Sequence, residues 1–422
     1  MRGVKLLFVL VLPFVVTGCS SCGKSGTTSA TDASPAASSA PLTAAAAPEL
    51  SLPIGADLAP DGAIWVAGYA AARKAVVVTR FDASGAATAT GDAFTEADWT
   101  SGAELRVFSG AKGIAVAFRG LVGGKSGQHV RLMDPSAHAY PGLDAFDADG
   151  IPCGTKDAVV AMDRIAAGGR LTIHPFDGSA AKLGLPSVPD ATLACGDSKA
   201  FLLDDGDDGL AVRSIEQTTT TNVAPGEGDD EPRDHPAFTV GDELSILVVT
   251  TGGALKLVAP FDQPPRAVGK LGDDEDLVAV DGDEKRAFVV YTKDDLTRCG
   301  ADRLVSDVYL QIIPRDGGKS TTDDVVKAGC DVDVGPFWIG AAGGKTIVAW
   351  GERDGKRTKG APPVTGVGYR IVGEGAAQRI AVSGEDVTFA GCSGAKCFAV
   401  SLERPTGTDG MVPGKARIVA FP

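Results

Sequence analysis

Leu58-Ala59-Pro60-Asp61-Gly62-Ala63-Ile64-Trp65-Val66-Ala67 has the composition of a β-hairpin. Pro, Asp and Gly cluster between two apolar runs, and the second run is rich in the β-branched and aromatic residues that strands favour. The pattern returns along the chain. Leu105-Arg106-Val107-Phe108-Ser109-Gly110 precedes Ile114-Ala115-Val116-Ala117-Phe118, and Ile151-Pro152-Cys153-Gly154 precedes Ala158-Val159-Val160-Ala161. Leu193-Ala194-Cys195-Gly196 leads to Ala200-Phe201-Leu202-Leu203, Phe238-Thr239-Val240-Gly241 to Leu244-Ser245-Ile246-Leu247-Val248, and Val278-Ala279-Val280-Asp281-Gly282 to Ala287-Phe288-Val289-Val290-Tyr291. Ile339-Gly340-Ala341-Ala342-Gly343 with Thr346-Ile347-Val348-Ala349-Trp350, and Val387-Thr388-Phe389-Ala390-Gly391-Cys392 with Cys397-Phe398-Ala399-Val400, complete the series. One turn glycine per unit falls at 62, 110, 154, 196, 241, 282, 343 and 394, in steps of 48, 44, 42, 45, 41, 61 and 51. Each is expected to supply the positive φ of a tight hairpin.

A period in the forties with no helical pattern leaves room for four short strands per unit, the signature of a β-propeller. Third strands are expected at 76–81, 130–133, 171–176, 210–214, 255–260 and 308–313. The second strands read as near-continuous apolar runs, as expected where stacked blades cover both faces of a strand. The last unit has strands near 387–391, 397–402 and 416–421 and is short of a fourth. Leu50-Ser51-Leu52-Pro53-Ile54 stands before the first full unit and is expected to supply it, closing the ring. Eight units predict eight blades. Seven is the alternative if one weak unit is misread, and tandem β-sandwiches would not need so regular a period. Asp61-Gly62-Ala63-Ile64-Trp65-Val66 also resembles the D-G-x-(apolar)-W-(apolar) turn of several bacterial propeller families, a likeness that bears on fold and not on activity.

The N-terminus reads as an export signal. Arg2 and Lys5 precede an apolar stretch, 6–16, too short to span a bilayer, which takes roughly 20 residues. Val16-Thr17-Gly18-Cys19 then resembles the bacterial lipoprotein lipobox. That resemblance implies cleavage before Cys19, lipid on its thiol and firm anchoring, since several acyl chains hold far better than one. Ser20 after the lipidated cysteine implies, by analogy, the outer membrane, with the body facing periplasm or cell surface. Residues 20–48 are mostly Ser, Thr, Ala, Gly and Pro, which cannot bury enough apolar surface to fold. The expected organisation is a signal peptide at 1–18, a lipidated tether at 19–48 and a propeller at 49–422. Gly18-Cys19-Ser20-Ser21-Cys22-Gly23-Lys24-Ser25 matches the P-loop pattern by letter, but no strand precedes it and no helix follows, so no nucleotide is expected.

The formal charge of −14 becomes −16 once Arg2 and Lys5 are removed, which argues against nucleic acid and anionic headgroups as partners. Of eight cysteines, Cys19 is assigned to lipid and Cys22 is left over in the tether. The six in the body, in an oxidising compartment, predict three disulfides. The favoured pairs are Cys392–Cys397 across a hairpin, Cys299–Cys330 closing an inserted loop and Cys153–Cys195 between neighbouring units. A zinc site is the rival, and no C-x-x-C pair or nearby histidine supports it.

No catalytic constellation stands out. His129, His138, His174 and His235 lack metal-ligand spacing, and His174 alternates with apolar neighbours as a packed strand residue does. There is no G-x-S-x-G turn. The acidic run around Asp204, Asp205, Asp207 and Asp208 is a possible calcium cluster without EF-hand spacing, and reads more simply as a solvated turn. Gly228-Asp229-Asp230-Glu231 and Gly272-Asp273-Asp274-Glu275-Asp276 read as inter-blade loops. Two insertions break the period: 293–306, carrying Cys299, and 352–363, which contains the basic stretch Arg353-Asp354-Gly355-Lys356-Arg357-Thr358-Lys359-Gly360. Loops on a rigid scaffold are where binding concentrates.

The expected function is therefore a membrane-anchored envelope lipoprotein whose propeller loops hold a protein or glycan. In fold alone it resembles the propeller lipoprotein that assists outer-membrane protein assembly. The alternative is a polysaccharide hydrolase or lyase, with Asp61, Asp204 and Asp281 converging on the channel mouth. A soluble-ligand sensor is a third reading.

Overall fold

The computed structural model describes residues 49–422 apart from 101, 163–168, 187–190, 207–208, 216–219, 226–231, 296, 300–304, 343, 355–363, 382–386, 394–395, 404–412 and 422. Cys19, Cys22, the signal and the tether lie outside the described residues. Within them, antiparallel pairing builds eight successive units. Blade 1 comprises Glu49–Leu58, Ile64–Ala70, Ala75–Phe81 and Ala87–Phe94. Blade 2 takes Glu104–Ser109, Ile114–Val122 and Lys125–Met133, with the beginning of Phe146–Gly154 as its fourth strand. The rest of that strand opens blade 3, followed by Ala158–Met162, Arg170–Pro175 and Lys182–Pro186. Blade 4 is Thr192–Cys195, Ala200–Gly206, Gly209–Ser214 and Thr221–Pro225; blade 5 is Ala237–Val240, Glu243–Thr250, Ala254–Val258 and Arg266–Lys270. Blade 6 is Glu275–Gly282, Arg286–Asp295, Val305–Pro314 and Thr321–Val326, and blade 7 is Val332–Ala342, Lys345–Asp354, Val364–Ile371 and Gln378–Ala381.

Blade 8 has Val387–Ser393, Lys396–Glu403 and Gly414–Phe421. Its outer edge is joined by Glu49 opposite Lys415 and Leu50 opposite Gly414. The expected closure is thus made by two residues, after which the same strand turns to its work as the first strand of blade 1, pairing with Ile64–Ala70. The first strand of each blade packs against that of the next, and that of blade 8 against that of blade 1. The chain is a β-propeller.

The core shows why the second strands are apolar along their length. Buried side chains fall into eight clusters, each lying between two adjacent blades. In blade 1, Ile64 and Val66 pack toward blade 8 while Trp65 and Ala67 pack toward blade 2. Alternate residues therefore point to opposite faces, and both faces are core. Among the described residues, no helix is long and apolar enough to cross a membrane.

One expectation about glycine is corrected. Gly62 and Gly241 have positive φ, 82° and 60°. Gly110, Gly154, Gly196 and Gly282 do not, and Gly343 and Gly394 lie outside the described residues. For the first four the reason is proximity to a neighbouring blade. A Cβ on Gly196 would sit 2.4 Å from the Gly241 carbonyl oxygen, and one on Gly282 would sit 2.1 Å from the Phe238 ring. Gly340 meets the Gly391 Cα at 2.5 Å in the same way. Glycine here lets inner strands approach where the ring is narrow.

Candidate functional site

Because neighbouring strands are antiparallel, the ring has two unlike ends. Connections from first to second and from third to fourth strands open on one, here the turn face. Connections from second to third strands, and from each blade to the next, open on the other, the loop face.

The turn face is tightly stitched. Asp82, Asp134 and Asp177 each accept the backbone N–H two residues on, from Ser84, Ser136 and Ser179, at 2.8, 2.8 and 3.1 Å. Turns also bond to one another: Lys156 N–H donates to Asp197 O at 2.8 Å, and Asp197 N–H to Gly241 O at 2.9 Å. Asp242 accepts from the N–H groups of Ser198 and Lys199, at 2.6 and 3.0 Å. Two wholly buried carboxylates perform the same task deeper in. Asp57 accepts from Leu58 N–H at 2.9 Å and, across the blade boundary, from Ser109 N–H at 2.7 Å and Oγ–H at 2.8 Å. Asp281 accepts from Gly282 N–H at 2.8 Å and from Ala341 N–H in blade 7 at 2.7 Å. Burial pushes both carboxyls up to about 7, against hydrogen bonds that pull them down.

This placement separates the three acids of the enzyme reading. Asp281 is spent on the joint between blades 6 and 7. Asp61 sits in the first turn of blade 1, where it accepts from Ala63 N–H at 3.0 Å and pairs with Arg80. Asp204 lies toward the loop end of the second strand of blade 4. Two belong to the turn end and one to the loop end, in three different blades, so they do not converge on one mouth. Of the calcium candidates, Asp205 comes within 3.8 Å of His235 Nδ1, and Asp207 and Asp208 lie outside the described residues. Among the described residues, no group of three or more His, Cys, Asp or Glu is placed to hold a metal ion. His129 is buried, with Nδ1 2.8 Å from Asp147 and Nε2 3.1 Å from the Lys125 carbonyl oxygen. His174 stacks on Phe146 at 3.7 Å, and His138 is exposed beside Asp134.

Both period-breaking insertions fall on the loop face, in adjacent blades. The connections between second and third strands cover 71–74, 123–124, 163–169, 207–208 and 251–253 in blades 1 to 5, and are longest in blades 6, 7 and 8, at 296–304, 355–363 and 404–413. The last of these did not register in the sequence because it follows the final turn glycine, at 394, so no step spans it. Part of the blade 6 insertion is extra strand, with Lys293 opposite Asp307, Asp294 opposite Ser306 and Asp295 opposite Val305. Most of the basic stretch, 355–360, lies outside the described residues.

The best-defined part of this face is the root of the blade 6 loop. Arg298 meets Asp307 with both terminal guanidinium nitrogens at 2.6 Å, reaches Asp295 through Nε at 3.2 Å and donates to Ala328 O at 3.2 Å. Asp307 also accepts from Ala328 N–H at 3.1 Å. Fork-to-fork pairing of this kind fixes direction as well as distance. Asp295 caps the turn by accepting from Thr297 and Arg298 N–H groups at 2.9 and 3.0 Å. Cys299 is joined to Cys330, on the link between blades 6 and 7, with Cα atoms 5.4 Å apart. Beside it, Glu275 and Asp274 of the acidic run are countered by Lys293 at 3.1 and 3.5 Å. In blade 7 the buried Glu352 accepts from Trp350 Nε1–H at 3.3 Å and pairs with Arg379. The other disulfides are Cys153–Cys195, between the first strands of blades 3 and 4, and Cys392–Cys397, directly opposed in blade 8. Chemically, the loop face offers a fixed polar relief, in which Ser306 Oγ–H donates to Asp294 at 2.6 Å and Thr297 Oγ1–H to Asp295 at 2.8 Å.

Neither protein-family models nor curated proteins match the sequence. Solved structures do. The β-propeller domain of the Trilobed protease from Pyrococcus furiosus aligns at 12% identity and TM-score 0.46, covering 76% of this chain and 95% of that one. Pyrococcus horikoshii acylaminoacyl peptidase aligns at 11% identity and TM-score 0.44, over 75% of this chain and 52% of that one. An oligogalacturonate lyase in complex with manganese aligns at 11% identity and TM-score 0.39, over 70% and 77%. The chain spans about half the length of the acylaminoacyl peptidase. At these identities and scores the likeness carries no argument about activity; the fold rests on the strand pairing above.

Proposed function

We propose that the chain is a lipid-anchored envelope protein that uses the loop face of its propeller, centred on blades 6 to 8, to hold a partner. The anchor is supported by the sequence, through the lipobox-like Val16-Thr17-Gly18-Cys19 and the apolar run before it. The single observation that carries the binding role is the asymmetry of the ring. Three neighbouring blades lengthen the same connection on the same face, and the root of the first is held by a bidentate ion pair and a disulfide. Fixing a loop in advance removes much of the ordering cost of association. An envelope protein or a surface glycan is the class of partner that suits an acidic body on a tether. Against the enzyme reading stand the separate places of its three acids, two at the turn end and one at the loop end, in three different blades.

The test is cross-linking in intact cells, followed by mass spectrometry of what is captured. A Cys19→Ala chain serves as the mislocalised control. Cross-links that concentrate on loop-face residues and vanish in the control are expected. Capture through the turn face, or capture unchanged by Cys19→Ala, would overturn the proposal.

A further inference from the structure

The three disulfides differ in reach. Cys153, Cys195, Cys392 and Cys397 are each at most 3% exposed. They sit where inner strands meet or next to the first turn of blade 8, inside apolar clusters. Cys299 and Cys330 are half-buried on the loop face. They join the insertion of blade 6 to the link that leads into blade 7. Thiol–disulfide exchange needs in-line approach of a thiolate to sulfur, so access separates the three before any difference in chemistry does.

The geometry points to Cys299–Cys330 as a redox-releasable staple that sets how firmly the loop face is presented, with a dithiol reductant as its chemical partner. This deepens the binding role proposed above and rests on it for its purpose. One thiolate of the dithiol attacks a sulfur of the pair, forming a mixed disulfide and releasing the other cysteine as thiolate. The second thiol of the reductant then attacks its own half of the mixed disulfide and frees the remaining cysteine. Two electrons pass from the dithiol, which closes to a cyclic disulfide, and its two protons end on Cys299 and Cys330.

Reduction does not cut the loop loose at once, because a second fastening lies next to the first. Arg298, adjacent in sequence to Cys299, keeps its hold on Asp307 and on the Ala328 carbonyl oxygen. The oxidised loop is held by a covalent bond that salt does not touch. The reduced loop is held by an ion pair with a partly exposed guanidinium, which ionic strength weakens. Two states of one loop root follow, differing in stiffness and in sensitivity to salt, while the rest of the ring keeps its buried disulfides.

The experiment uses the full chain and needs no partner. Native protein is exposed to graded dithiothreitol, free thiols are trapped with N-ethylmaleimide, and labelling of each cysteine is followed by peptide mass spectrometry. Cys299 and Cys330 are expected to label together, at least about tenfold faster than the other four. The selectively reduced protein then goes to hydrogen exchange at low and high salt. Peptides spanning 305–312 and 327–334 are expected to exchange faster than in the oxidised form, more so at high salt, while blades 1 to 4 do not change. Co-reduction of all three pairs, or unchanged exchange in those peptides, overturns the inference. Because neither readout involves a binding partner, failure of the binding proposal would leave both results standing.

Discussion

At the turn face, neighbouring blades grip one another: Asp57 reaches Ser109, Asp242 reaches Ser198, Asp281 reaches Ala341, and glycines clear the way. At the loop face the bonds stay mainly within a blade or between a blade and the link that follows it, as Arg298 does with Asp307 and Ala328. The difference assigns stability to one end of the ring and variation to the other. Connections can lengthen in blades 6 to 8 because the joints between those blades are made elsewhere. Loops that vary on a fixed base are the usual arrangement in binding scaffolds.

The largest test of this contrast sets one disulfide against another. Replacing Cys153 and Cys195 together by Ala is expected to cost about 2–5 kcal/mol in chemical denaturation. The sequence separations of 42 and 31 residues make the chain-entropy contributions of Cys153–Cys195 and Cys299–Cys330 differ by only about 0.3 kcal/mol. The inner pair is expected to cost clearly more than the loop pair, because it also sits in a packed cluster between blades. Equal costs would break the contrast.

A smaller effect separates two uses of glycine. Gly340→Ala is expected to lose about 1–3 kcal/mol, since the new Cβ meets backbone that cannot give way. Gly344 has φ +79° and open space around it, so Gly344→Ala is expected to lose only about 1 kcal/mol, from backbone strain alone. Thermal melts of the two variants check the order.

The buried carboxyls give a pH signature to the turn face. Asp57 and Asp281 have folded values near 7, above the unfolded 3.8. Stability from each is complete below the unfolded value, declines as pH rises and levels off above about 7. Between pH 5 and pH 8, Asp281→Asn is expected to remove about 2 kcal/mol of that decline, seen as a flatter plot of unfolding free energy against pH. An unchanged slope in the variant would mean that Asp281 keeps one charge state across this range. The smallest effect belongs to the loop face. Arg298→Ala is expected to leave the denaturation midpoint close to wild type while raising hydrogen exchange around Asp307 and Ala328.

Much of the ring was legible in sequence because its units repeat locally. The spacing of turn glycines located the hairpins, and the expected third strand at 210–214 falls within Gly209–Ser214. The cysteine pairs followed from placing Cys153 and Cys195 at matching points of successive units. What escaped was whatever depends on the neighbouring blade. Gly196 looks like a turn residue until Gly241, from the next unit, is brought against it. Asp57 and Asp281 share a role that no local pattern announces, because their partners lie 52 and 60 residues away. One signal was present and missed. Phe81-Asp82-Ala83-Ser84, Met133-Asp134-Pro135-Ser136 and Phe176-Asp177-Gly178-Ser179 repeat a large apolar residue, Asp, any residue and Ser at the turn after the third strand. As for the candidate site, the two insertions were visible as breaks in period, but that they share one face needed the strand directions.

The closing pairs, Glu49 with Lys415 and Leu50 with Gly414, also set a schedule for folding. Seven of the eight blade boundaries join segments close in sequence, and these can form one after another as the chain appears. The eighth joins residues at opposite ends of the body. Until Gly414 arrives, blade 1 waits with Leu50, which is 1% exposed in the finished ring, uncovered on the side that blade 8 will fill. Such non-local contacts are slow to form, and exposed strand edges invite wrong partners in the meantime. The interval between the arrival of residue 50 and that of residue 414 is when this protein is most exposed to aggregation, and when a chaperone would have most to offer it.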